Sequence, residues 1–259
     1  MTTRILAFEG VDNFRDYGDY ATAAGARIHK GRLYRSAHQS RATDADLEAM
    51  AGLEIAVIVD LRRKGERLRE PSRRPAGFSG VVIDNDIGDT PDDPWQVFVR
   101  NSDLSAGAFR GYLMNYYQAA PHDERHLDLY ARYFRALAEA KGPVLIHCAA
   151  GKDRTGILAA LTHHLVGVHD DDIMADYLLT NAAARLEERA PLVAQMMAEQ
   201  TGRTPTLEAV RTAMGVDAAY LDQALKSIRA EYGSVDAYLE KALGVDPKVR
   251  DGVTTRLVG

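Results

Sequence analysis

The segment His147-Cys148-Ala149-Ala150-Gly151-Lys152-Asp153-Arg154-Thr155-Gly156 gathers the most reactive side chains of the sequence. It holds the only cysteine, and five residues separate that cysteine from an arginine. Val144-Leu145-Ile146 enters the segment as a strand, and the run Ile157 to Leu161 leaves it as a helix. A strand, a tight loop and a helix N-terminus form a cup of backbone N–H groups, a natural place for an anion. A cysteine at the base of such a cup is expected to ionise near neutral pH. An arginine at its rim can clamp two oxygens of a phosphate at once. Types and spacing together point to phosphoryl transfer through a sulfur nucleophile.

Each part has an expected role. Cys148 is the nucleophile, and Arg154 binds the phosphoryl group in the ground and transition states. Ala149, Ala150, Gly151, Lys152 and Asp153 complete the anion cradle with Arg154. Gly151 and Gly156 let the backbone turn tightly. Thr155 can offer its hydroxyl to the sulfur, helping it leave from a phosphocysteine, and can also cap the helix. His147 is expected to orient the loop by hydrogen bonding rather than to titrate. The leaving oxygen needs a proton donor, usually a carboxylic acid. Candidates are Asp84, Asp86 and Asp89 in the acidic loop 84–93, and Asp153, already in the cup. Asp60, at a strand end, is expected to be structural. The nucleotide phosphate loop is excluded, because Asp153 rather than Ser or Thr follows Lys152 and no glycine stands five before Gly151.

The elements around the cup follow from apolar periodicity. Residues 1–40 read as short strands ending in Gly31-Arg32-Leu33-Tyr34-Arg35-Ser36. Thr43 caps a helix with Leu47, Met50 and Leu53 on its apolar face. Ile55 to Val59 form a buried strand, and Gly80 to Ile83 another. Helical patterns fill 106–119, 122–141 and 155–167, and nearly everything from 170 onward. The alternation predicts an α/β fold with a mostly parallel central sheet flanked by helices, the cup lying at the carboxyl end of a central strand. Residues 186–216, with Leu192, Val193, Met196 and Met197 at helical spacing, form a candidate helical insertion over the site. Met196 and Met197 either shield the cup or serve as core.

The whole chain sets bounds. Its 259 residues suit a single domain spanning 1–259, with 186–216 inserted in it. A net charge of −5 argues against nucleic acid as a partner, although Arg62, Arg63, Lys64, Arg67, Arg69, Arg73 and Arg74 crowd one stretch. One cysteine excludes an internal disulfide. No run approaches the ~20 apolar residues of a membrane span and no signal peptide is visible, so a cytoplasmic place without integral membrane association is expected, secretion by a signal-free route aside. No cofactor and no metal are expected. His122 and His126 stand at i, i+4 but lack the glutamate of a zinc helix. His163 and His164 read as packing or surface residues.

The string His-Cys-x-x-Gly-Lys-Asp-Arg-Thr-Gly resembles the bacterial and fungal tyrosine phosphatase family, within the wider Cys-x5-Arg superfamily. Asn13-Phe14-Arg15-Asp16, Gly31 to Ser36, Asp60-Leu61-Arg62, Asp176 to Asn181 and Tyr232-Gly233-Ser234 look like further landmarks of that family, so the resemblance spans nearly the whole chain. It implies hydrolysis of phosphotyrosine, with phosphoserine and phosphothreonine as possible further substrates and phosphate or vanadate as active-site anions. It places Asp86 at the family's candidate acid position. Lys152 and Asp153 match loop positions linked to wider specificity, and a mycobacterial member carries a two-helix lid where 186–216 falls. Alternatives are a phosphoinositide phosphatase, favoured by Lys152 and the basic stretch, and a phosphate-binding pseudophosphatase, disfavoured because Cys148 and Arg154 are both present. An arsenate reductase lacks the second cysteine of the usual relay.

Overall fold

A computed structural model of the chain describes residues 4–90 and 92–258. In chain order the elements are β1 (Arg15–Asp16), β2 (Leu33–Ser36), α1 (Asp44–Ala51), β3 (Val57–Asp60), α2 (Lys64–Arg69), β4 (Val81–Ile83), α3 (Pro94–Asn101), α4 (Ala106–Ala119), α5 (Glu124–Glu139) and β5 (Val144–His147). The remainder is mainly helical: α6 (Asp153–Leu165), α7 (Asp170–Leu178), α8 (Thr180–Ala183), α9 (Leu186–Thr201), α10 (Leu207–Met214), α11 (Ala218–Tyr232), α12 (Val235–Lys241) and α13 (Pro247–Leu257).

The five strands lie in the order β1-β2-β5-β3-β4. β2, β5, β3 and β4 are parallel, and only β1 runs antiparallel, against β2. The three inner strands are buried along their whole length, as parallel strands covered on both faces must be. Their residues alternate between two cores. Val57, Val59, Val144 and Ile146 face the larger one, against Leu129, Tyr133 and Phe134 of α5 and Ile157 and Leu161 of α6. Ile58, Leu145 and Tyr34 face the smaller one, against Phe8, Phe14 and Met50 of α1.

Register sets the site. Ser36 and Asp60 both pair with His147, so the carboxyl ends of β2, β5 and β3 stand level, with Cys148 just beyond the middle one. This is the place at which open α/β sheets bind ligands.

Residues 186–216 fold as α9 and α10. Together with α3 and α4 they form a third core from Val99, Phe109, Ala190, Met197, Val210 and Ala213. Met197 is therefore core, whereas Met196 on the same helix is exposed. Two helices differ from the sequence-based expectation. The basic stretch contains α2, and the loop after β4 gives way at Pro94 to α3. In α3 Asp93 is the cap, its side chain accepting from the Trp95 N–H, and Pro94 occupies the first turn, where its missing N–H costs nothing.

Candidate active site

The loop from Cys148 to Lys152 is held from outside by its own carbonyls. The Ala149 oxygen accepts from the His38 N–H at 3.1 Å. The Asn13 amide donates to the oxygens of Ala150 (3.1 Å) and Gly151 (2.8 Å). Arg35 Nη2 donates to the Gly151 oxygen at 3.0 Å. These bonds commit the carbonyls of the loop to groups outside it. Gly151 is required at its position. Its φ is +67°, and a Cβ there would lie 2.3 Å from the Ser36 oxygen.

Behind the loop, Asp176 bridges two buried arginines, Arg35 at 2.7 Å and Arg15 at 3.3 Å. Arg15 also donates to Thr180 Oγ1 and to the Asn13 side chain, which fixes the Asn13 amide against the loop. Burial alone would raise the Asp176 carboxyl, but Arg15 and Arg35 hold it well below the ordinary carboxylate range.

Arg154 lies in the first turn of α6 and is gripped by Glu66 of α2. Its Nη1 and Nη2 donate to the two carboxylate oxygens at 2.6 and 2.7 Å, and Nη1 also reaches the Leu61 oxygen at 3.1 Å. Glu66 also accepts from the Arg63 N–H at 2.7 Å, so one carboxylate caps α2 and sets the plane of the guanidinium. Burial works against both charges. Arg154 and the Arg63 N–H nevertheless bring Glu66 down to about 2, and Glu66 and Cys148 hold Arg154 above its usual value.

His147 is fully buried, with Nε2 3.6 Å from Asp60 Oδ2 and Nδ1 3.4 Å from the Cys148 oxygen. Burial outweighs the pull of Asp60 and lowers it to about 3, so it is neutral at pH 7. Asp60 is engaged by Arg62, which donates Nε and Nη2 to its oxygens at 2.9 and 2.7 Å.

The sequence matches the tyrosine phosphatase family over residues 6–259. The chain belongs to that family. A Cupriavidus necator protein whose name assigns it to the tyrosine-protein phosphatases is 34% identical, over 93% of this chain and 85% of that one. The triple specificity protein phosphatase PtpB of Mycobacterium tuberculosis is 33% identical, over 90% of this chain and 92% of that one. A tyrosine-protein phosphatase of Nostoc commune is 28% identical, over 86% and 73%. The protein is thus a protein tyrosine phosphatase with the mostly parallel α/β fold expected from its sequence. Among its described residues no helix is long and apolar enough to cross a membrane.

The phosphatase loop brings together Cys148, Lys152, Asp153, Arg154 and Thr155 but not the acids of the 84–93 loop. Asp86 lies outside, half-exposed, in ion pairs with Lys64 (3.3 Å) and Arg67. Desolvation opposes the charge, but these pairs together keep its carboxyl below the usual value. Asp84 meets Arg67 at 3.8 Å, and Asp89 is exposed. Asp153 is within the first turn of α6, and Tyr117 of α4 donates to its Oδ1 at 2.8 Å. Lys152 is buried, and its Nζ turns to carbonyls at the end of α10, Ala213 at 2.6 Å and Gly215 at 3.3 Å. Thr155 does not cap α6, whose N-cap is Lys152. Its buried hydroxyl has no hydrogen-bond partner among the described residues.

The two spaced histidines diverge: His122 faces Glu231 at 3.0 Å, and His126 the Ala120 oxygen at 2.8 Å. His163 is core, bonded to the Tyr17 oxygen at 2.7 Å, and His164 lies on the surface opposite Asp236. Glu66, Tyr117, Asn13, Arg35 and Asp176 all serve the loop. Asn13, Arg35 and Asp176 fall within the family landmarks, whereas Glu66 and Tyr117 carried no signal in the sequence.

Proposed function

We propose that this phosphatase cleaves phosphotyrosine through a phosphocysteine on Cys148, with Asp153 as the proton donor, and that it also accepts phosphoserine and phosphothreonine. The Cys148 thiolate attacks phosphorus in line with the leaving oxygen. Arg154 and the loop N–H groups hold the equatorial oxygens where charge builds up. Asp153 protonates the leaving oxygen, and then as a carboxylate takes a proton from the water that releases phosphate. Thr155, with its unused hydroxyl, stabilises the departing thiolate.

The observation that carries this reading is the Arg154–Glu66 pair, which presents a guanidinium of fixed plane beside the only cysteine. The name of the mycobacterial relative, triple specificity, supports the broader substrate range. Asp153 is preferred over Asp86 because it belongs to the Cys148–Arg154 segment itself and is held there by Tyr117, whereas Asp86 is tied to Lys64 and Arg67. A phosphoinositide substrate is not favoured. The basic stretch that recommended it is spent internally: Arg62 on Asp60, Lys64 and Arg67 on Asp86, Arg69 on Asp93, Arg73 on Asp44 and Arg74 on Gln39. We further read α9 and α10 as a lid fastened to the loop by Lys152.

The test compares wild type, Cys148→Ser, Asp153→Asn and Asp86→Asn on p-nitrophenyl phosphate, phenyl phosphate and phosphotyrosine. Cys148→Ser should be inactive. Asp153→Asn should lose about 10²–10⁴-fold on phenyl phosphate and far less on p-nitrophenyl phosphate, whose leaving group needs no proton. Asp86→Asn should stay near wild type. If Asp86→Asn shows the leaving-group dependence instead, the acid is Asp86 and the loop carrying it must move to the cup.

A further inference from the structure

Asp153 is reached by a buried chain of hydroxyls. Tyr177 of α7 donates to the Tyr117 hydroxyl at 2.7 Å, and Tyr117 donates to Asp153 Oδ1 at 2.8 Å. The chain has no room to rearrange. Tyr117 is fully buried, stacked on Tyr220 of α11 (centroids 5.5 Å, planes 26° apart) and edge-on to Tyr177 (6.2 Å, 79°). Tyr177 in turn lies against Gly156, where a Cβ would come within 2.9 Å of its ring. The other Asp153 oxygen, Oδ2, faces Lys152 Nζ at 3.7 Å, the one cation within 4 Å of that carboxylate among the described residues. Tyr112 and Tyr116 of α4, Tyr220 and Arg154 complete the titratable surroundings.

We propose that Tyr117, backed by Tyr177, is a positioning residue that holds the Asp153 carboxyl for delivery of its proton to the leaving oxygen. This rests on the reading of Asp153 as the acid. With Oδ1 engaged as acceptor, the transferable proton is confined to Oδ2. As that proton passes to the leaving oxygen, the new carboxylate is met at once by the hydroxyl on one side and the ammonium on the other. Such a donor strengthens as charge develops, and this favours proton delivery.

Tyr117→Phe keeps the ring packing and removes only the donor. It should lower kcat about tenfold on phenyl phosphate and less on p-nitrophenyl phosphate. Tyr177→Phe should lower both in the same order by less, and serves alone if Tyr117→Phe does not fold. A purely structural role would instead lower both substrates equally, which overturns the proposal. Asp153→Asn separates the two claims. If it leaves the leaving-group dependence as in wild type, the acid assignment is wrong and the proposal falls with it. If it steepens that dependence while both phenylalanine variants do not, the positioning role alone is wrong.

Discussion

Glu66 decides how Arg154 is used. A guanidinium can rotate about its stem, and two short bonds to one carboxylate remove that freedom before substrate arrives. Glu66→Gln keeps the size and the cap on Arg63 but leaves one donor of Arg154 facing an amide. It should lower kcat/KM about 10–100-fold through a misplaced guanidinium, with KM for phosphate esters rising as well. Steady-state kinetics beside an unchanged circular dichroism spectrum would check this. The difference between Glu66 and Cys148 marks what a sequence displays. Cys148, Arg154 and the glycines lie in one contiguous string because one loop must wrap one anion, so their spacing is legible. Glu66 comes from 88 residues away and meets Arg154 only after folding. Nothing in Lys64-Gly65-Glu66-Arg67 distinguishes it from a solvated helix face. Tyr117, in an amphipathic helix of ordinary pattern, was hidden in the same way.

The strands and most helices were readable for the reasons that make them stable: unbroken β-rich runs between turns, and apolar residues at helical spacing behind a cap. Two short helices were not. α2 buries none of its residues, so it has no apolar stripe to betray it, and it is held by its capping box and ion pairs. In α3 the Asp93-Pro94 pair is a proper helix start, yet in an acidic, glycine-containing context it reads as a break. At this scale the contact between Lys152 and α10 has a measurable consequence. The ammonium neutralises the carbonyl end of α10, the favourable end for a cation. Asn181 adds a second tie, donating to the Val216 oxygen at 2.9 Å and accepting its N–H at 2.8 Å. Lys152→Met should therefore raise amide hydrogen exchange across α9 and α10 by about five- to tenfold while leaving the inner strands protected. Equal exchange in both proteins would show that the lysine does not fasten these helices.

For the molecule as a whole, buried histidines set the response to acid. Burial lowers His126 and His147 to about 3 each, from 6.5 in an unfolded chain. Between these values the unfolded state binds the protons that the folded state refuses, so stability falls as pH falls from 6.5 towards 3. Each histidine contributes about 1.4 kcal/mol per pH unit in that interval. Glu66 works in the same direction lower down, its contribution being lost as pH drops from 4.5 through about 2. Urea unfolding midpoints should decline steeply between pH 6.5 and 4, and unfolding at pH 5 should take up about two protons from this pair. Midpoints that stay level over that range would contradict the buried, neutral state of these rings.

The anion loop is seven residues of one turn, but the groups that shape it come from Asn13, Arg35, Glu66, Tyr117, Asp176, Ala213 and Gly215. During synthesis the chain leaves the ribosome from its amino end, so a nascent chain that has just exposed Cys148 and Arg154 still lacks the ends of its own support. Cys148 is made well before the frame that would organise its loop. Ribosome-bound chains halted when residue 156 has just cleared the exit tunnel should be catalytically silent, and activity should arise only once the segment reaching Gly215 has emerged and docked.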